Sequence, residues 1–341
     1  MSINKVLIIH TAFIGDLVLL APLVHETRKA FKDADVHILG IPLVAGIYEH
    51  DPAVTRFIAY DKKNKDKGCA GFYRVVQTLK REKYDLALIP HRSLRSALLA
   101  KLARVPKRIG FDQSAGSFLM THLVEYKQHI HEVERNISLL ESYLNRKIEP
   151  KLTLITSDAQ KQKAGQIIEK LNKPVIAVAP GSVWFTKRWP TRYYAALISA
   201  LLRANISVIL LGGPKDRELV KTLPTNHKNI LNLVDQLSLL ESAQVIGNCS
   251  LLISNDSAPL HLASAMNTSV IAIFGPTVPA FGFYPYKVDY KTIQTNLECR
   301  PCGMHGSAEC PIKTHECMTA IKPKRIFEET ITYLKQHRLY E

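Results

Sequence analysis

Residues 5–16 read KVLIIHTAFIGD, and this stretch decides the fold. KVLIIH is a short apolar run rich in β-branched residues, the pattern of a parallel strand buried on both faces. The loop TAFIGD follows, and LVLLAPLVHETRKAF then turns amphipathic, which predicts a single helix. A strand, a loop and a helix in that order open a βαβ unit. Further strands are expected at 35–40 (DVHILG), 56–60 (RFIAY) and 85–90 (DLALIP), with helices at 71–82, 93–103 and 132–145. The pattern restarts with strands at 174–179, 206–211, 230–233, 251–255 and 269–274, alternating with helices at 191–204, 214–222, 238–247 and 257–266. The fold class expected is therefore α/β, two Rossmann-like, doubly wound parallel-sheet domains. Their join falls in the polar stretch 148–172, and a last helix follows Pro323.

Composition sets the outer bounds. The 341 residues are long enough for two domains, and 46% apolar against 22% charged residues is ordinary globular usage. Asp16 interrupts the first apolar run and no small-residue cleavage site follows it, so the protein is expected in the cytoplasm. A net charge of +15 suits anionic membranes or phosphorylated substrates. Nucleic acid is not expected as a partner, because no recognition motif and no basic stretch interleaved with stacking aromatics is present.

Ligands of open parallel sheets bind beyond the carboxyl ends of the strands, so the loops there carry the candidate chemistry. The first is Thr11-Ala12-Phe13-Ile14-Gly15-Asp16. It lacks G-x-G-x-x-G, which argues against a dehydrogenase. Gly15 permits a tight turn or a close ligand approach. Asp16 suits either a helix cap or a general base for an acceptor hydroxyl. The second is PGSVWFTKRWP (180–190), where backbone amides and Ser182 can donate to a diphosphate and Lys187 supplies charge. The third is SNDSAPLH (254–261), with Asp256, Ser257 and His261 placed either to cap a helix or to surround a phosphate or ribose. The fourth is FGPTVPAFGFYP (274–285), whose three prolines and two glycines preclude regular structure. Two further patterns are weaker. Asp33-Ala34-Asp35 mimics a metal-binding D-x-D but precedes a strand, and reads as a solvated turn. Cys299, Cys302, Cys310 and Cys317 form C-x2-C-x7-C-x6-C, read as reduced thiols with a structural zinc as the alternative.

Taken in register, the FIGD loop, PGS…TKRWP, NDSAPLHLA and GPTVPAFGFYP resemble the ADP-heptose:lipopolysaccharide heptosyltransferases, glycosyltransferase family 9, of the heptosyltransferase II type. RIGFD (108–112) and an H-x-x-x-R helix (His131, Arg135) extend the resemblance over nearly the whole chain. It implies a GT-B architecture with two domains facing a cleft: residues 1–158 for the acceptor, rejoined by the C-terminal helix 324–341, and 159–323 for the nucleotide sugar. It also implies inverting, metal-independent transfer of L-glycero-D-manno-heptose from ADP-heptose to the inner core (Kdo or heptose on lipid A), at the inner face of the inner membrane. Asp16 then stands as catalytic base and Lys187 as the diphosphate lysine. Gly181, Ser182, Val183, Asp216, Leu237, Asp256, Ser257, Ala258 and His261 line the donor. Val183 departs from the family's hydroxyl residue, Ser257 and Ala258 from its Thr and Gly. Gly15, His91, Arg92 and Arg95 are expected to face the anionic acceptor. No cofactor is expected. Competing readings are another GT-B transferase or sugar-nucleotide epimerase, or a non-catalytic nucleotide-sugar or anionic-lipid binding module. The transferase reading expects the Asp16 and Lys187 loops to converge across one groove.

Overall fold

A computed structural model describes residues 2–340. The chain divides into two compact units, Met1–Ile155 and Thr156–Glu341. The division falls inside the polar stretch expected to join them.

In chain order the first unit comprises β1 (Lys5–Ile9), α1 (Ile14–Leu19), α2 (Ala21–Ala30), β2 (Asp35–Gly40), β3 (Arg56–Ala59) and α3 (Gly68–Glu82). β4 (Leu86–Ile89), α4 (Leu94–Leu102), β5 (Lys107–Phe111), β6 (His122–Val124) and α5 (Glu132–Leu144) complete it. Its six strands are all parallel, in the order β3-β2-β1-β4-β5-β6. The central strands are buried along their apolar runs, Val6 to Ile9 and Leu86 to Ile89, as a sheet covered on both faces requires. Strand order reverses between β1 and β4, and the loops leaving those two strands therefore lie side by side.

Three local expectations are corrected by the structure. The helix expected to run on from the FIGD loop is two, α1 and α2, because Pro22 lacks an N–H and sits in the first turn of a new helix that begins at Ala21. β5 was not expected as a strand, since KRIGF carries two cations. Arg108 is nevertheless buried, folding its guanidinium back onto the carbonyls of Val105 and Leu119. β6 has only three residues, two of them exposed, and so shows no apolar run to read. The D-x-D look-alike lies where expected: Asp35 starts β2, at the end of the sheet away from the ligand loops, 3.8 Å from Lys5.

The second unit comprises α6 (Asp158–Ile168), β7 (Val175–Ala179), α7 (Thr191–Arg203), β8 (Ser207–Leu210), α8 (Arg217–Val220) and β9 (Ile230–Asn232). It continues with α9 (Leu239–Gly247), β10 (Leu251–Asn255), α10 (Ala258–Ala265), β11 (Val270–Ile273), β12 (Tyr290–Ile293), α11 (Glu316–Thr319) and α12 (Pro323–Gln336). The parallel order β12-β11-β10-β7-β8-β9 repeats the first sheet's topology, with β7 and β10 at the reversal. α6 was not expected. Ser157 starts it with a reciprocal capping box to Gln160, and it packs on α9.

α12 contributes to the second unit's core, where Ile326, Thr330 and Leu334 are buried and the helix lies on α7 and β11. The Tyr333 hydroxyl bonds Ser269 Oγ at 2.7 Å. The physical reason is the amphipathic stripe of α12, whose apolar side fits beside Trp189, itself buried with Nε1–H donating to the Ile321 carbonyl at 2.8 Å.

Candidate functional site

In the first unit, candidate residues gather at the β1/β4 reversal. Asp16 occupies the third position of α1, and its Oδ2 accepts the Phe13 N–H at 3.0 Å. A carboxylate is favoured there by the helix's own dipole. Gly15 is buried in the same turn. From the β4 loop, His91 Nδ1 lies 3.0 Å from Ser96 Oγ and 3.2 Å from Thr11 Oγ1, and its ring stacks on His10 at 5.3 Å. Burial, helped by Lys62, pushes both imidazoles down to about 3. His91 is therefore neutral, and what it offers is hydrogen bonding. The cations are Arg92, stacked over Tyr126 at 4.0 Å, and Arg95, whose Nη1 donates to the Tyr60 hydroxyl at 2.9 Å.

Three residues of this site are not evident from the sequence. Lys62 reaches back from a charge-rich run to donate to the Thr11 carbonyl at 2.6 Å, so a residue that reads as solvated surface is half-buried beside the β1 loop. His10 ends an apolar strand, where it reads as packing. Glu132 lies inside the H-x-x-x-R segment, where it reads as an ordinary helix start. It is buried and ion-paired with Arg135 at 2.7 Å. His131 caps α5 by accepting the Val133 N–H, and Arg135 donates to the carbonyls of Gln128 and Ile130. Donor atoms of His10, Asp16 and Glu132 lie within 4.8 Å of one another, the only such trio among the described residues. Arg135 is ion-paired with Glu132 beside this trio, and Arg92 also acts on that carboxyl.

The second unit builds its site the same way at the β7/β10 reversal. Asn255, at the end of β10, holds the two loops in register. Its Nδ2 donates to the Pro180 carbonyl at 2.8 Å, while its Oδ1 accepts from Trp189 N–H at 3.1 Å and the Tyr194 hydroxyl at 3.0 Å. That staple brings Lys187 Nζ within 2.6 Å of Asp256 Oδ2, which also accepts from Thr277 Oγ1 at 2.6 Å. Neither Asn255 nor Thr277 stands out in the sequence; only the fold shows that they hold Asp256 and the Lys187 turn.

The β8 loop closes this group. Asp216 Oδ2 accepts the Gly213 N–H at 2.9 Å, and its carboxylate lies directly against Gly181. A Cβ on Gly181 would stand 2.3 Å from Asp216 Oδ1, so glycine is required by the carboxylate rather than by backbone torsion. On the expectation that Asp216 serves the donor, Gly181→Ala should displace it and raise the donor KM about tenfold with kcat nearly unchanged, the equivalent of one lost hydrogen bond; an unaltered donor KM in steady-state kinetics would overturn that expectation.

The remaining candidates fall around the same edge. Ser257 starts α10, its Oγ 3.3 Å from that of Ser254, and Ala258 is the helix's first residue. His261 is buried one turn on, its ring edge towards Phe283 at 6.3 Å. Leu237 is half-buried in the loop after β9, and Asp235 in that loop donates its N–H to the Gly212 carbonyl at 2.9 Å. Ser182 gives its carbonyl to Arg188 Nε at 2.8 Å, and Val183 is exposed.

The cysteine-rich segment packs on the Lys187 turn. Thr186 exchanges hydrogen bonds with Ser307, His315 Nε2 lies 3.0 Å from the Thr186 carbonyl, and Phe185 stacks on His315 at 5.1 Å. Among the described residues no three of the cysteine sulfurs lie within 4.8 Å of one another. Cys302 Sγ donates to the Cys299 carbonyl and Cys310 Sγ accepts from His315 N–H.

Comparison with known proteins accords with this geometry. The chain is 25% identical to lipooligosaccharide heptosyltransferase 2 of Campylobacter jejuni over 342 residues, covering 98% of this chain and all of that one. Among solved structures it resembles E. coli ADP-heptose LPS heptosyltransferase II, with a TM-score of 0.77, 23% identity and coverage of 98% and 99% of the two chains. It also resembles E. coli heptosyltransferase WaaC with ADP-2-deoxy-2-fluoro heptose, at a TM-score of 0.71, 19% identity and coverage of 96% and 99%. These likenesses establish a GT-B fold. Residues 72–313, more than half of the sequence, match the family described as Glycosyltransferase family 9 (heptosyltransferase), and the chain belongs to that family of glycosyltransferases.

Proposed function

We propose that this protein is an inverting glycosyltransferase that moves L-glycero-D-manno-heptose from ADP-heptose to the lipopolysaccharide inner core, without a catalytic metal or cofactor. The single observation that carries the reading is the Lys187–Asp256–Thr277 cluster beside Gly181 and Asp216, set at the reversal point of the second sheet. A cation, a hydroxyl and backbone amides held there suit a departing diphosphate, and a carboxylate against a glycine suits ribose hydroxyls. In this reading the second unit binds the donor. Asp16 takes the proton of the acceptor hydroxyl as its oxygen attacks the anomeric carbon, and the bond to ADP breaks with inversion. Lys187 stabilises the charge that develops on the leaving diphosphate.

The acceptor is densely anionic, and Arg92, Arg95 and Lys62 suit it. Exposed Leu94 and Leu102 on α4, with Phe118 on the adjoining turn, stand beside Arg95, Lys101 and Arg104 and suit the surface of an anionic membrane. No described helix is long and apolar enough to cross one. Raising ionic strength to about 1 M, where the Debye length is about 3 Å, should release the protein from phosphatidylglycerol vesicles and raise the acceptor KM more than the donor KM. Equal changes in the two KM values would count against an electrostatic acceptor site.

The deciding experiment offers ADP-heptose, ADP-glucose and UDP-sugars to the enzyme with Kdo2-lipid A or its mono-heptosylated form, and reads the products by mass. Gain of one heptose from ADP-heptose alone is the expected result. Transfer only from a UDP-sugar, or donor binding with no turnover, would overturn it.

A further inference from the structure

The carboxyl of Glu132 has no part in the transfer step itself, yet it is held beside the group that does. Glu132 opens α5, where a helix favours an acid, but here the side chain points inward and is almost wholly buried. Arg135, one turn on, fixes it at 2.7 Å and is itself fixed by two carbonyls. A His10 ring nitrogen and carboxylate oxygens of Asp16 and Glu132 lie within 4.8 Å of one another. His10 Nδ1 is buried without a hydrogen-bond partner among the described residues. The charged and titratable groups facing the pair are Arg135 and Arg92, the Tyr126 phenol, the neutral rings of His10 and His91, and Lys62 beyond His10.

Two carboxylates this close in a desolvated site do not ionise independently; they titrate as a pair. Burial above all, with Asp16 adding to it against the two arginines, pushes Glu132 up to about 7. Near pH 7 Glu132 is thus about half protonated, and the separation is one that a bridging water or the neutral His10 ring spans.

We propose that Glu132 is the positioning and proton-relay residue of this site: Asp16 takes the acceptor's proton and passes it to the Glu132 carboxylate. The inference rests on the transferase reading. The acceptor O–C1 bond forms and the C1–O bond to ADP breaks, its electron pair leaving with ADP. The hydroxyl proton moves to Asp16, then to Glu132, and is lost to solvent before the next turnover. Glu132 accepts a proton only when ionised, so the single-turnover rate climbs as pH rises through about 7 and levels above it.

Glu132→Gln is the test, since the amide oxygen still accepts from Arg135 and preserves the start of α5. At pH 8 its single-turnover rate with ADP-heptose should be about 10²-fold lower, the low end of general acid–base help, with the rise near pH 7 abolished and donor KM unchanged. Glu132→Asp should restore the rise. A uniform loss with the pH profile retained would make Glu132 merely structural and overturn the proposal, as would a wild-type rate. Carboxyl 13C NMR of the free enzyme supplies an independent readout. The Asp16 signal should show a second step near pH 7 that is absent from Glu132→Gln; a single step in the wild type overturns the pair. Should ADP-heptose support no transfer at any pH, the transferase reading fails, and the titration still decides whether the carboxyls act together.

Discussion

Asp16→Asn is expected to slow transfer by about 10²–10⁴-fold, the usual worth of a positioned general base, while the donor KM stays within twofold. The substitution is nearly isosteric. The amide oxygen it introduces still accepts the Phe13 N–H that Asp16 Oδ2 accepts now, so α1 keeps its start. Only the favourable charge in the first helical turn is lost, worth about 0.3–1 kcal/mol, and the thermal midpoint should move little. Glu132 loses an anionic neighbour that helps hold it at about 7, so its titration should move down. Single-turnover mass analysis beside a melting curve and carboxyl NMR reads all three. Wild-type turnover in a folded variant would mean that Asp16 is only a helix cap, the alternative that the sequence leaves open.

Lys187→Ala should be costly twice over. Asp256 is nearly buried and loses the cation 2.6 Å away, keeping the Thr277 hydroxyl. Breaking a buried pair from one side costs about 3 kcal/mol, which for a unit of this size lowers Tm by about 6–12 °C. In the proposed reading Lys187 stabilises developing charge, so its removal should also lower kcat/KM by about 10²–10³-fold. The two effects separate in the double variant Lys187→Ala with Asp256→Asn. Its stability should recover because no unpaired carboxylate remains, while its rate should not. Recovery of both would reduce the pair to a structural ion pair and move the diphosphate elsewhere.

The candidate site was partly legible because its chemistry sits in loops that leave recognisable strands. KVLIIH and PVIAVA announce buried parallel strands, and a loop leaving such a strand lies at the ligand edge, so Asp16, Lys187 and Asp256 could be named from their position, and Asp216 from the family resemblance. His91 lies at the expected edge, but the sequence leaves its charge open. A histidine's protonation depends on the solvent it loses, and the His10 ring and Lys62 that desolvate and repel it come from elsewhere in the sequence. Glu132 is illegible for a similar reason: an acid in the first turn of an amphipathic helix looks like an ordinary helix start, and only the fold turns it inward to Asp16.

The sequence by itself determined most of the local order of strands and helices, the α/β class, the repetition of the pattern in two halves and most of the loops that carry the chemistry. These rest on periodicity, turn chemistry and apolar runs, which are properties of neighbours in the chain. Tertiary structure alone decided that β5 hides an arginine, that α12 completes the second core, that Asn255 staples two loops, and that Glu132 is held against Asp16. Each of these depends on burial and on partners distant in sequence. A side chain's desolvation and the charges around it exist only once the chain has folded.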